Sequence, residues 1–461
     1  MNMQRLQTRI LSIVVLICTL SMSFLLTTQT ASAATNYRAD ADASAAALQG
    51  WYNSSNGLFN NVGWWNSANA LGALIDYSAL TRTSTYTNDI STTYAQNASG
   101  KFLNNYYDDE GWWALTWVKA YDLTGNTTYL NAAKTIFSDM AGGWDNTCNG
   151  GVWWSKSKTY KNAIPNELFL ALAAKLHQRT PGDSGTGSYL DWANKEWSWF
   201  SASGMINSSN LINDGLTSSC QNNGQTTWTY NQGVILGGLT DLSKMSGNTT
   251  YLSKAESIAN AAITTLIDPN GVLQEPCEPA NTCNGDSAQF KGILMRNLIY
   301  LYQSGNNATD ATFLQHNADS LWNNDRNSSN QLGLRWSGPF DSADATRQSS
   351  AQDALNAALS FTDSQGANVA LEKSATANSS CTSTETPNKA VDGSVTNDSK
   401  WCGGSTNGKY WLKIDLGMQY PINNFIIQHA GAGGESTSYN TRDFNIQLSS
   451  DNTNWTTVVS V

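Results

Sequence analysis

Histidine is scarce in this chain: His177, His316 and His429 are the only three in 461 residues, and none stands at the start of an apolar helical segment. No Cys-x-x-Cys pair occurs, so a zinc site of the usual Cys/His kind has no ligands to draw on. Charge is sparse as well, at 13% of residues, and the net value is −10. That balance excludes the basic footprint of a nucleic-acid binder. There is only one long apolar run, Ile10 to Leu26, and no second one that could serve as a membrane span.

That single run has basic residues before it (Arg5, Arg9) and the small-residue site Ala31-Ser32-Ala33 after it. The pattern predicts a secretory signal peptide over residues 1–33, giving a secreted, extracellular protein with no membrane attachment after cleavage. Of seven cysteines, Cys18 leaves with the signal. An even set of six in an exported chain reads as disulfides. Locality pairs Cys277 with Cys283 and Cys381 with Cys402, leaving Cys148 for Cys220. The abundance of Asn, Ser, Thr and Gly beside 18 tryptophans suits an extracellular protein that handles sugars, whose C–H faces meet aromatic rings and whose hydroxyls meet amides. A large helical core also uses aromatics, so tryptophan alone does not decide the matter.

Residues 36–362 repeat one unit five times: an apolar helix, a polar turn, then an aromatic residue opening a second helix. The units run Trp64–Leu80 to Tyr86, Gly111–Leu123 to Tyr129, Asn166–His177 to Tyr189, Asn231–Met245 to Tyr251, and Phe290–Tyr302 to Phe313. Thr124-Gly-Asn-Thr-Thr-Tyr-Leu130 and Ser246-Gly-Asn-Thr-Thr-Tyr-Leu252 nearly coincide. The first helix of each unit is apolar on most faces and should be buried; the second is amphipathic and should lie outside. One spare helix precedes the repeats (Arg38–Tyr52) and one follows (Ser349–Phe361). Paired, they would close a mainly α architecture, an (α/α)6 barrel. Unpaired, they would end an open solenoid, whose terminal helices need polar caps that Ala354–Phe361 lacks.

From residue 368 the texture changes to short alternating segments: Trp411–Leu416, Asn424–His429, Phe444–Leu448 and Trp455–Ser460. They predict a C-terminal β-sandwich over 368–461, and the pattern is still running at Val461, as in a truncated domain.

The residues richest in chemistry are Tyr106-Tyr-Asp-Asp-Glu-Gly-Trp-Trp113. Glycoside hydrolysis needs one protonated carboxyl and one ionised carboxylate. Two acids held close, such as Asp108 and Asp109, push their pKa values apart and supply both forms. An aspartate at a helix start is equally a common cap, and these residues alone leave both readings open. Similar aromatic–amide clusters mark the other helix starts: Trp64-Trp65-Asn66, Gly151–Trp154, Lys161-Asn162, and Tyr230-Asn231. Together with Tyr107, Trp112 and Trp113, all of these except Gly151–Trp154 are candidate substrate-binding residues.

The paired aspartates in this setting, with Trp64-Trp65-Asn66, Lys161-Asn162 and Asn166-Glu167, resemble glycoside hydrolase family 76, endo-acting α-1,6-mannanases with an (α/α)6 barrel. The resemblance implies a retaining mechanism, with Asp108 as nucleophile and Asp109 as general acid/base, carboxyls roughly 5–5.5 Å apart, and the raised pKa on Asp109. It implies an α-mannan polysaccharide as substrate, no cofactor for catalysis, and a monomer. Fungal relatives transfer glycans, so transglycosylation stays open, as does a non-catalytic glycan-binding protein. A lyase fits less well, since no histidine stands at a helix start. The tail, through Ala390–Gly393, Trp411–Gly417 and Ser449–Trp455, resembles the discoidin, or factor 5/8 type C, fold and its carbohydrate-binding members. That resemblance marks Asp392 for a structural calcium, and His429, Glu435 and Arg442 are candidates to face sugar.

Overall fold

The computed structural model describes residues 36–363, 369–404, 410–417, 422 and 425–461; the expected signal peptide lies outside them. Twelve α-helices are present among these residues: α1 Tyr37–Gln49, α2 Trp64–Thr81, α3 Thr87–Asn97, α4 Tyr107–Thr124, α5 Thr127–Gly142, α6 Ala163–Gln178, α7 Tyr189–Ala202, α8 Thr229–Ser246, α9 Thr250–Thr265, α10 Phe290–Gly305, α11 Ala308–Asn324 and α12 Ala345–Asp363.

The even-numbered helices form a ring in which each packs on the next, and α12 returns to α2. The odd-numbered helices lie outside, each against its partner, with α1 against α12. The spare helices therefore pair, and the barrel is closed. Its closure is also stitched by amides: Asn356 Nδ2 of α12 donates to the Ala73 carbonyl of α2 at 2.9 Å, and Gln348 Nε2 of α12 donates to Ser44 Oγ of α1 at 2.9 Å. At Gly292 of α10, a Cβ would lie 2.5 Å from the Ser350 backbone of α12, so glycine sets how closely these two helices meet.

The ring positions follow from the side chains. In α8 nearly every residue from Thr229 to Ser243 is buried, whereas α5 buries only Tyr129, Leu130, Ala133, Ile136, Phe137 and Met140, one stripe at helical spacing. The twin Gly-Asn-Thr-Thr-Tyr motifs are the hairpin turns. Gly125 and Gly247 end α4 and α8 in the left-handed region (φ 70° and 69°), and Asn126 and Asn248 accept backbone N–H bonds two residues on.

Helix boundaries differ from the sequence expectation in two ways. The first helix stops at Gln49, and Tyr52-Asn53 (β1) instead pairs antiparallel with Leu58-Phe59 (β2). Four inner helices begin earlier than their apolar periodicity, α4 at Tyr107 instead of Gly111, because a first turn keeps free N–H groups and tolerates polar residues.

All three disulfides are formed as paired from the sequence: Cys148–Cys220, Cys277–Cys283 and Cys381–Cys402, with Cα separations of 5.2, 5.0 and 5.3 Å. In the C-terminal segment β3 (Ser374–Ala377) pairs with β4 (Leu412–Asp415), and β5 (Asn445–Leu448) pairs with β6 (Thr456–Ser460), both antiparallel. The first of these strands went unanticipated. No strand is found over 425–429, where one was expected from Asn424 to His429.

Candidate active site

The inner helices all start at one mouth of the barrel, where α4 carries the acidic cluster. Its cap position is Tyr106, in extended conformation with no side-chain cap bond, so neither aspartate is the N-cap. Asp108, Asp109 and Glu110 occupy the first turn, near the positive end of the helix dipole.

The two half-buried aspartates face different partners. Asp108 Oδ2 accepts the Trp154 indole N–H at 3.0 Å, and Oδ1 is buried with no hydrogen-bond partner among the described residues. Asp109 Oδ2 accepts the Asn104 amide at 2.6 Å. Neither aspartate forms an ion pair among the described residues. Burial, followed by the charge of Asp109, pushes the Asp108 carboxyl up to about 8; Trp154 and the first-turn N–H groups pull less strongly the other way. Burial pushes Asp109 up to about 6, with Asn104 lowering it and Asp286 raising it. The expectation that Asp109 holds the higher value is corrected: Asp108 does, because its carboxyl is the more enclosed and takes the repulsion of its neighbour.

Aromatic rings surround the pair. Trp154 lies 5.0 Å from Tyr106 and 6.5 Å from Tyr160. A row of rings crosses from α2 to α10: Trp65 stacks on Trp112 (5.6 Å) and Phe290 (6.2 Å), and Tyr230 stacks on Phe290 at 3.8 Å. Trp65 Nε1 donates to Asp286 at 3.1 Å. Asp108, Asp214, Glu167 and Tyr160 all act electrostatically on the buried Tyr230 phenol, which gathers them about one region. Asp214 accepts the Tyr160 hydroxyl at 2.6 Å.

Of the sequence candidates, Asp108, Asp109, Trp65, Trp112 and Tyr230 come together here. Asn162, the cap residue of α6, and Asn231 on α8 are buried nearby with amide atoms unpartnered: Oδ1 of Asn162, and both Oδ1 and Nδ2 of Asn231. Several others serve packing instead. Trp113 is fully buried against Trp117 and Trp64. Asn66 ties α2 to Gln289 at 3.0 Å. Tyr107 is buried with Lys156 above its ring. Lys161 is withdrawn altogether: its ammonium donates to the carbonyls of Asp145, Thr147 and Gly150 and to the Asp145 carboxylate, so it organises that loop. Trp154, Asn104, Asp286 and Phe290 were not singled out from sequence. Trp154 carried a signal, as the last residue of the Gly151–Trp154 cluster, and Phe290 as the opening residue of the fifth repeat; Asn104 and Asp286 lie in connecting segments with no periodicity.

In the tail, Glu435 is ion-paired to Lys400 at 2.9 Å, His429 packs near Phe444, and Arg442 is exposed. Asp392 accepts the Ser394 N–H and the Ser399 hydroxyl and lies 3.6 Å from the Lys389 ammonium. A calcium ion needs a shell of oxygen acceptors; donors and a cation surround this carboxylate, so the residues present do not fit calcium. The one metal-like cluster among the described residues, Cys381–Glu385–Cys402, consists of two disulfide-bonded cysteines and a glutamate paired to Lys400.

The profile of glycosyl hydrolase family 76 matches residues 36–383. The chain belongs to this family. A second profile, the F5/8 type C domain, matches residues 374–461. A Schizosaccharomyces pombe protein, provisionally named as a mannan endo-1,6-alpha-mannosidase, is 32% identical over 226 residues, covering 46% of this chain and 50% of its own length. The chain thus spans about half the length of the curated relatives it matches. The family-76 barrel is similar to the solved α-1,6-mannanase of Salegentibacter sp. HEL1_6, with a TM-score of 0.63, 23% identity, and coverage of 70% of this chain and 99% of that one. An inactive variant of that mannanase, with two consecutive aspartates replaced by asparagine, was solved with α-1,6-mannotriose. It too aligns with a TM-score of 0.63 and 23% identity, over 71% of this chain and all of its own. No helix among the described residues is long and apolar enough to cross a membrane.

Proposed function

We propose that this chain is a secreted endo-acting α-1,6-mannanase that cleaves the backbone of yeast-type mannan with retention. The observation that carries the reading is a pair of consecutive, cation-free carboxylates among aromatic rings at the mouth of a family-76 barrel. Asp108-Asp109 is the only Asp-Asp pair in the chain, and the inactive neighbour is altered at two consecutive aspartates.

In the first step the Asp108 carboxylate attacks the anomeric carbon while Asp109 gives its proton to the departing glycosidic oxygen. In the second, Asp109 takes a proton from water, whose oxygen attacks the same carbon and releases Asp108. Values of about 8 and about 6 leave the pair with one proton near pH 7, the count from which the first step starts and which the second restores. That proton rests on Asp108 in the free protein, so sugar binding has to move it to Asp109. Trp65, Trp112 and Tyr230 supply ring surface for the sugar. Residues 1–33 act as the signal, 36–362 as the catalytic domain and 368–461 as a sugar-binding domain. The protein works as a monomer.

A reducing-end assay on debranched α-1,6-mannan, with wild type and Asp108→Asn, tests the assignment. New reducing ends from wild type alone, with the α-anomer formed first by proton NMR, are expected. Cleavage by Asp108→Asn near the wild-type rate would overturn the assignment. Re-ligated longer chains would replace hydrolysis by transglycosylation.

A further inference from the structure

Asn104 lies in the segment between α3 and α4 and makes three directed bonds. Its backbone N–H donates to Glu110 Oε1 at 3.0 Å, its Oδ1 accepts the Tyr106 N–H at 2.7 Å, and its Nδ2 donates to Asp109 Oδ2 at 2.6 Å. The amide is locked in one orientation. Flipping it would set its NH2 against the Tyr106 N–H and its oxygen against a carboxylate.

Glu110 stands behind it, fully buried. Its Oε1 also receives the Lys156 ammonium at 2.9 Å, and Lys156 reaches Asp139 of α5 at 2.9 Å. The Lys156 backbone N–H donates to the Asn105 carbonyl at 2.9 Å, closing the loop onto the same segment. A buried ion pair of this kind is a poor way to gain stability, because desolvating both charges offsets their attraction. It is an effective way to fix where a short loop sits.

We infer that Asn104 and Glu110 are positioning residues, which hold the Asp109 carboxylate by one oxygen and leave the other to exchange the proton with the sugar. The inference rests on the proposed role of Asp109. The charged groups facing Asp109 are Asp108 beside it and Asp286 from the turn before α10; Lys156 and Asp139 stand behind Glu110. Burial and the Asp286 charge disfavour its ionised form, and the Asn104 amide opposes them by donating to it. Asp109 must be a base in the second step, so this bond keeps the ionised state within reach.

The test uses the full chain with Asn104→Ala, Glu110→Ala and Glu110→Gln. Asn104→Ala should lower kcat about tenfold or more with KM changed less than about twofold, since a misplaced group costs turnover before binding. The limb of the pH profile set by Asp109 should move to higher pH, because the bond that favours the ionised form is gone. Glu110→Ala should behave alike, and Glu110→Gln, which keeps the acceptor for the Asn104 N–H, should recover most of kcat. A wild-type kcat and pH profile in Asn104→Ala overturns the inference. If wild type does not cleave α-1,6-mannan, the functional reading fails and the positioning is decided without substrate. Carbon-13 carboxyl titration, with Asp109 assigned through Asp109→Asn, should then show a higher midpoint in Asn104→Ala; an unchanged midpoint overturns it. Should Asn104→Ala not fold, Asn104→Ser keeps a short acceptor for Tyr106, loses the donor to Asp109, and is read in the same way.

Discussion

The aspartate pair at the mouth of the inner ring and four acids nearer the helix C-termini are held in opposite ways. At the mouth, Asp108 and Asp109 sit half-buried with neutral donors and no cation, and their pKa values are pushed up to about 8 and about 6. Toward the helix C-termini four acids have a basic partner: Asp76 with Lys119, Asp122 with Arg179, Asp241 with Lys175, and Asp353 with Arg296. Asp241 accepts from Lys175 at 2.9 Å and from Tyr300 at 2.6 Å. Burial would raise its pKa, but these partners outweigh it and hold the carboxyl below its ordinary value. Helix dipoles run the same way around the ring, favouring anions at the mouth and cations at the far end. The four ion pairs tie neighbouring inner helices together, whereas Asp108 and Asp109 have no cation and keep raised pKa values.

The contrast can be broken at either end. The largest effect should come from Asp108→Asn, which is isosteric and removes the proposed nucleophile. Turnover on α-1,6-mannan should fall at least about 10³-fold, with the melting temperature unchanged or raised, measured by reducing-end assay and calorimetry. Next, Asp241→Ala strands Lys175 at the paired end. It should lose about 3 kcal/mol in denaturant unfolding while the folded fraction keeps wild-type kcat. A loss of kcat without a loss of stability would erase the distinction between the ends. Trp154→Phe keeps the ring and deletes the N–H that favours ionised Asp108. Turnover should fall about threefold to tenfold, with the pH limb set by Asp108 displaced upward. A further effect is on stability against pH. A carboxyl raised from 3.8 to about 8 stabilises the fold below about pH 4, and that contribution is lost as pH rises toward 8. The unfolding free energy of Asp108→Asn relative to wild type should therefore grow from pH 4 to pH 8, and a flat difference would mean that Asp108 ionises normally.

Much of the barrel was legible in the sequence. Five hairpins with one spare helix at each end named all twelve helices, because an all-round apolar helix can only be buried and an amphipathic one only half so. The disulfides followed from export and locality. The aspartate pair was visible as chemistry, yet its surroundings were not. Asn104, Trp154 and Asp286 reach the site from segments without periodicity, Phe290 is visible in the sequence only as the opening of a helix, and Trp113, Asn66 and Lys161 share the composition of a sugar cleft while serving the core or a loop. Composition reports which residue types are available. It is silent on which way each side chain turns.

By itself, then, the sequence determined the helix count, the inner and outer rings, the disulfide partners and the acids worth testing, since each depends on local periodicity or spacing. Tertiary structure alone decided that Lys161 is consumed by three carbonyls and Asp145, and that Asp108 holds a proton more firmly than Asp109. The reason is that desolvation and charge are sums over neighbours in space. Two adjacent aspartates, alike in sequence, become different acids only once the barrel encloses one carboxyl more than the other.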